Sequence, residues 1–139
     1  ISLWRKMADF GWDVATKPTV GVRISLTPMA AKNFILDFES DDTIESAIVC
    51  HPAHGNLLVN WYASNETDHL PGLTKAVQKT RVSSELLGGT TVIEQGPLVL
   101  RKEIGVWGTS QDIHRLMQNM KAQYDPTGTL NLGRFVGGI

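Results

Sequence analysis

An α+β domain, one antiparallel sheet carrying its helices on one face, is the fold class this sequence predicts. Three observations carry it. Val20, Val22, Ile24 and Leu26 alternate with Gly21, Arg23, Ser25 and Thr27, a period of two rich in β-branched residues that predicts a strand. The elements that follow read in the order strand, helix, strand, strand, helix, strand, which is the ferredoxin-like, split βαβ arrangement. A chain of 139 residues with 42% hydrophobic and 19% charged residues is one ordinary domain that needs no disulfide or metal to hold it.

Taken in order, Leu3, Met7, Phe10 and Val14 fall at helical spacing, and Lys17-Pro18 ends that stretch. After the first strand, Thr27 before Pro28 reads as an N-cap followed by the first helical residue. Ala30, Ala31, Phe34, Ile35 and Phe38 give that helix its apolar stripe. Thr43 to Cys50 and Asn56 to Ala63 predict two strands joined through His51-Pro52-Ala53-His54-Gly55, a loop with the Pro and Gly a hairpin uses. Leu70, Leu73, Ala76, Val77 and Leu87 predict a long helix from Asp68, stopped by Gly88-Gly89. Thr90 to Glu94 is the fourth strand, and Leu98 to Glu103 a helical turn. Ser110 then caps a last helix striped by Ile113, Leu116, Met117, Met120 and Tyr124, which Asp125-Pro126 ends.

The chain opens on Ile1 with no charged n-region, which is not how a signal peptide begins. The expectation is a single domain cut from a longer chain: 1–17 a linker or helix of a preceding domain, 18–109 the ferredoxin-like core, 110–139 a C-terminal helix and extended tail. Thirteen Lys and Arg against fourteen Asp and Glu give a net charge of −1. That is neither a basic footprint for nucleic acid nor a polybasic membrane patch. The lone Cys50 excludes an internal disulfide framework and a four-Cys zinc site, and suits a reducing, cytoplasmic compartment. No apolar run is long enough for a transmembrane segment.

Few residues carry chemistry by pattern alone. His51 and His54 stand three apart on a loop, short of the three protein ligands a metal site normally needs unless a carboxylate such as Glu94 is brought near as the third. No Gly-x-Gly-x-x-Gly, Walker A or Gly-x-Ser-x-Gly sequence occurs. Arg101 is a fork-shaped cation of the kind an acidic substrate would need. Trp107 lies between Gly105 and Gly108, where a covering surface would find it.

The tail goes further. Tyr124-Asp125-Pro126-Thr127-Gly128-Thr129-Leu130-Asn131-Leu132-Gly133-Arg134, running out of a last helix, resembles the C-terminal signature of FAD-linked oxidases of the vanillyl-alcohol-oxidase type. Six spaced positions agree, with Leu132 where that family usually has Pro. Glu94 to Arg101, Val106-Trp107-Gly108 and Gly133 to Ile139 look like the glycolate-oxidase FAD-binding subunits of that family. In the related D-lactate and D-2-hydroxyglutarate dehydrogenases, a His-x-Gly-Asp-Gly-Asn-Leu-His-x-Asn motif and a later Glu-His-Gly supply metal ligands and a base. Here His51, Gly55, Asn56, Leu57 and Asn60 fall on matching positions. His54 stands for the Asp, Leu58 for the second metal-binding His and Gln95 for the catalytic His. Leucine cannot coordinate and an amide is no base, so no metal is assigned.

The resemblance implies the substrate-side cap domain of an FAD-dependent, glycolate-type 2-hydroxy-acid oxidoreductase. The FAD would sit on a flavin-binding domain absent from this chain. Electrons would pass to partner subunits, among them an iron–sulfur protein through which a cytoplasmic enzyme could meet the membrane. Asn60 and Arg101 become the substrate-side candidates, with His51 and His54 as acid–base or anion-binding groups. Asn131, Gly133 and Arg134 become the cofactor-side residues, Asn131 offering donor and acceptor to the flavin edge and Arg134 a cation for a carboxylate or phosphate oxygen. The same patterns also suit a stand-alone ferredoxin-like binding module without catalysis.

Overall fold

Val20, Val22 and Ile24 are fully buried while Arg23 and Ser25 are exposed, so β1 (Val20–Ser25) turns one face to a core. The computed structural model describes residues 3–4, 17–39, 43–108, 111–131, 133 and 136, without the side chains of 66, 67 and 111–113. They fall into two compact units, Ile1–Val106 and Trp107–Ile139.

In the first unit β1 is followed by α1 (Pro28–Leu36), β2 (Glu45–His51), β3 (Asn56–Tyr62), α2 (Glu66–Leu86), β4 (Thr90–Gln95) and α3 (Leu98–Ile104). The sheet order is β2-β3-β1-β4 and every pairing is antiparallel, the ferredoxin-like arrangement the element order predicts. Register places Val20, Val22 and Ile24 opposite Trp61, Val59 and Leu57. These six, with Ile93, share a core with Ala31 and Phe34 of α1, Leu73 and Val77 of α2, and Leu100 of α3. All three helices therefore cover the same face.

Local chemistry sets the helix ends. Thr27 Oγ1 accepts from Ala30 N at 3.3 Å, with Pro28 at the first helical position. α1 stops at Leu36, so Phe38 packs from beyond the helix and Ile35, assigned to the buried stripe, is 40% exposed. α2 begins two residues before its predicted start: His69 N reaches Asn65 O at 3.3 Å, and Pro71, lacking an N–H, falls in the second turn. Gly88 takes a left-handed φ of 75° and Gly89 N returns to Ser84 O at 2.8 Å, closing the helix as Gly88-Gly89 predicts. The buried Arg81 guanidinium caps α3 by donating at 2.8 Å to Ile104 O and to Gly105 O. Its pKa is lowered by that burial.

β2 runs two residues later at its start and one residue further, to His51, than its pattern predicts. Gly55 explains the sharp turn: its φ is 65°, and a Cβ there would lie 1.9 Å from Leu26 O. The turn is pinned by Leu26 N donating to Gly55 O at 2.9 Å. The expected N-terminal helix lies outside the described residues except at Leu3 and Trp4, which are helical; the cap at Ser110 lies outside them too.

In the second unit α4 (Gln111–Tyr124) has the predicted extent, but Leu116, Met120 and Tyr124 of its stripe are exposed. Among the described residues no helix is long and apolar enough to cross a membrane.

Candidate functional site

The sheet face opposite the three helices carries Gly21, Arg23 and Ser25 of β1, and Asn56, Leu58, Asn60 and Tyr62 of β3, by strand alternation. Asn60 is 1% exposed, and its buried Nδ2 has no hydrogen-bond partner among the described residues. It lies between two small residues, Gly21 on β1 and Ala47 on β2. The glycine makes room for it: a Cβ at Gly21 would stand 2.9 Å from Asn60 Oδ1, so the amide would have to shift. A buried amide donor left unsatisfied costs about 1–3 kcal/mol, so its retention asks for a reason.

Beside it, Arg23 Nε pairs with Glu94 Oε1 at 2.6 Å. The β1–β4 register shifts by one residue between Gly21 and Val22, so Gly21 faces Gln95 and Val22 faces Ile93, with Glu94 as the extra residue of a bulge. Gln95 Nε2 donates to Pro18 O at 2.6 Å, tying the approach to β1 onto the end of β4. Arrayed together are an unmet amide donor and a guanidinium held by one carboxylate. That set can bind an acceptor-rich small anion, and its one carboxylate, Glu94, is engaged by Arg23.

Three of the four substrate-side candidates lie elsewhere. His51 is exposed at the end of β2, opposite Asn56. It shares Asn60's face, but the four residues from Asn56 to Asn60 put it about 13 Å away. His54 is exposed in the turn, and its backbone N donates to His51 O at 3.0 Å. Arg101 is half-buried on α3 with an unpartnered, buried Nε, and that helix anchors Leu100 in the core under the helix-covered face. No side-chain hydrogen bond joins any two of His51, His54, Asn60 and Arg101. Among the described residues no three of His, Cys, Asp and Glu converge to hold a metal. Glu94, the possible third ligand, pairs with Arg23 instead.

Arg23 and Gly21 are the residues that sequence reading passed over. The available signal was Arg23's outward position in the clearest strand; Gly21's role depends on register with β3 and had none.

The C-terminal unit builds a separate loop. The Asp125 carboxylate accepts from Thr129 N at 2.9 Å, Thr129 Oγ1 at 3.0 Å and Leu130 N at 2.9 Å, and pairs with Lys121 Nζ at 2.5 Å. These partners, Lys121 foremost, hold its pKa far below the ordinary carboxylate range. Lys121 also donates to Leu130 O. The chain leaves this closed loop with Asn131 exposed at a left-handed φ of 49° and Gly133 exposed at 70°. Arg134 lies outside the described residues.

Compared with known proteins, the chain matches no family model, no curated protein and no solved structure.

Proposed function

We propose that this chain is the substrate-side cap domain of an FAD-dependent 2-hydroxy-acid oxidoreductase of the glycolate type. The observation that carries the reading is Asn60, a buried amide with an unmet donor on the sheet face opposite α1, α2 and α3. A short 2-hydroxy acid offers what this face lacks: oxygen acceptors for Asn60 Nδ2 and a carboxylate for the free edge of the Arg23 fork. Arg23 then takes the substrate-binding role that sequence reading gave Arg101. His51 and His54 are left at the rim, as anion-attracting groups rather than a base.

The residues present fit a cap and not a cofactor cradle. No phosphate-binding glycine loop occurs in the sequence, whereas Asn131 stands exposed on a loop that Asp125 closes. When bound, a flavin supplies hydride acceptance; this chain's part is to orient the substrate and exclude water. Asn131 and Gly133 would meet the cofactor-bearing domain, and the resemblance of the tail from Tyr124 to Arg134 supports that assignment.

The test uses the protein expressed from its complete reading frame. Bound flavin and glycolate- or D-lactate-dependent dye reduction are expected. Asn60→Ala should lower kcat/KM about tenfold or more, the worth of a hydrogen bond to a charged group at ~1.5–3 kcal/mol. A protein that holds no flavin and has no flavoprotein partner, or an Asn60→Ala enzyme with unchanged kinetics, overturns the reading.

A further inference from the structure

On the other side of the sheet, α1 and α2 stand apart instead of packing along each other, and an open cleft of about 370 Å³ lies between them. Helix length explains the gap. The nine residues of α1 span about 13 Å, whereas the twenty-one of α2 span about 31 Å. Beside Lys75, Lys79 and Leu86, the α2 residues that line the cleft are small: Gly72, Ala76, Thr80 and Ser83. Opposite it stand three aromatic rings, Phe34 and Phe38, 5.9 Å apart at a tilt of 43°, and Trp61. The volume lies within the range of small-molecule sites, roughly 300–1,000 Å³.

The rim is two-signed and sorted by wall. Asp37 and Glu39 stand where the chain leaves α1, beside that helix's negative end; Lys75 and Lys79 stand on α2. Lys79 Nζ and Glu39 Oε2 meet at 2.6 Å and so cancel each other across the cleft. Among the described residues that leaves one acid, Asp37, and one base, Lys75, without a side-chain partner on opposite walls. Thr80, 4% exposed, lines the space between them with a hydroxyl.

We propose that this cleft binds a small zwitterion with an apolar body, the chemistry of a free aromatic or branched α-amino acid. The ring or branched chain lies on Phe34, Phe38 and Trp61, where aromatic pairing adds to apolar burial. The carboxylate turns to Lys75 and the ammonium to Asp37. The small α2 stripe is what makes room for the body. This site is independent of the proposed cap function, since it lies under the opposite face of the sheet and shares no residue with Asn60 or Arg23.

The test is a titration of the 139-residue protein with L-phenylalanine, followed by the NMR signals of the Trp61 indole N–H and the Gly72 and Thr80 amides. Saturable shifts at those three positions are expected. 3-Phenylpropionate, lacking the ammonium, and phenethylamine, lacking the carboxylate, should each bind about tenfold more weakly. Lys75→Gln and Asp37→Asn are surface changes that leave the fold intact. Each should weaken phenylalanine and abolish discrimination against the analogue missing the matching charge. Ala76→Phe, which fills the cleft, should remove binding. Absence of saturable shifts at millimolar phenylalanine overturns the proposal. So does indole binding as tightly as phenylalanine, or the two charge variants binding phenylalanine as the parent does.

Discussion

Leu57 and Leu58 are neighbours on β3, yet Leu57 is 1% exposed in the shared core and Leu58 is half-buried on the opposite face. The same difference runs across the whole sheet. The helix-covered face is Val, Ile, Leu and Trp, packed on three helices. The other face interrupts its apolar residues with a glycine, a buried amide and an ion pair. One face carries the stability. The other keeps a buried polar group that stability alone would replace by an aliphatic side chain, and that contrast marks it as the place to look for chemistry.

The largest effect follows from this pair of leucines. Leu57→Ala should cost about 2–5 kcal/mol, because it deletes buried methyl groups and leaves a cavity in the shared core. Leu58→Ala should cost less, since Leu58 is only partly buried and lies outside the shared core. Denaturant unfolding of the two variants measures both. Equal losses would mean that the second face is as tightly covered as the first, and the comparison would break.

Gly21 sharpens the contrast at the next scale. Gly21→Ala drives a Cβ to within 2.9 Å of Asn60 Oδ1, and overpacking of this kind costs about 1–3 kcal/mol. Asn60→Ala relieves the crowding and also removes the unsatisfied donor. The double variant Gly21→Ala/Asn60→Ala should therefore be more stable than Gly21→Ala alone, with a coupling beyond about 0.5 kcal/mol. Additive single changes would show that Gly21 is not there to seat the amide.

What the sequence made legible follows the range of the interactions involved. The alternation from Val20 to Leu26 and the caps at Thr27 and Gly88 are local, and they place the elements and their order correctly. Asn60 was legible as a candidate through motif matching, not through any local rule. Its setting was not, because Gly21 and Ala47 lie thirty-nine and thirteen positions away and meet it only through strand register. The β4 bulge that brings Glu94 to Arg23 is hidden for the same reason: one extra residue in a strand leaves no mark in a period of two. The cleft was illegible because it depends on the distance between two helices, which no stripe on either one specifies. The apolar stripe of α4 misled in the other direction, since periodicity predicts a face to be covered and Leu116, Met120 and Tyr124 are exposed.

The smallest effect on the sheet comes from the C-terminal unit, and there pH is the probe. Asp125 is ionised in the folded loop, held by Lys121 and by the N–H groups of Leu130 and Thr129, and its pKa is lowered well below the ordinary aspartate value of about 3.9. A depressed folded pKa means that the charged form favours the folded loop. The loop's stability is then fully present above the unfolded value and is lost as pH falls below it towards the folded one. Protection of the Thr129 and Leu130 amides, taken against their intrinsic exchange at each pH, should accordingly hold through neutral pH and fall only below about pH 4. Asp125→Asn keeps the side-chain shape but not the charge, so it should quicken the same two amides at pH 7. The core amides of Val22 and Val59 should not move in that variant, because among the described residues the carboxylate's partners lie between Lys121 and Leu130. A change at the sheet would mean that the loop and the sheet are one cooperative unit, and the two-faced description would have to include the tail.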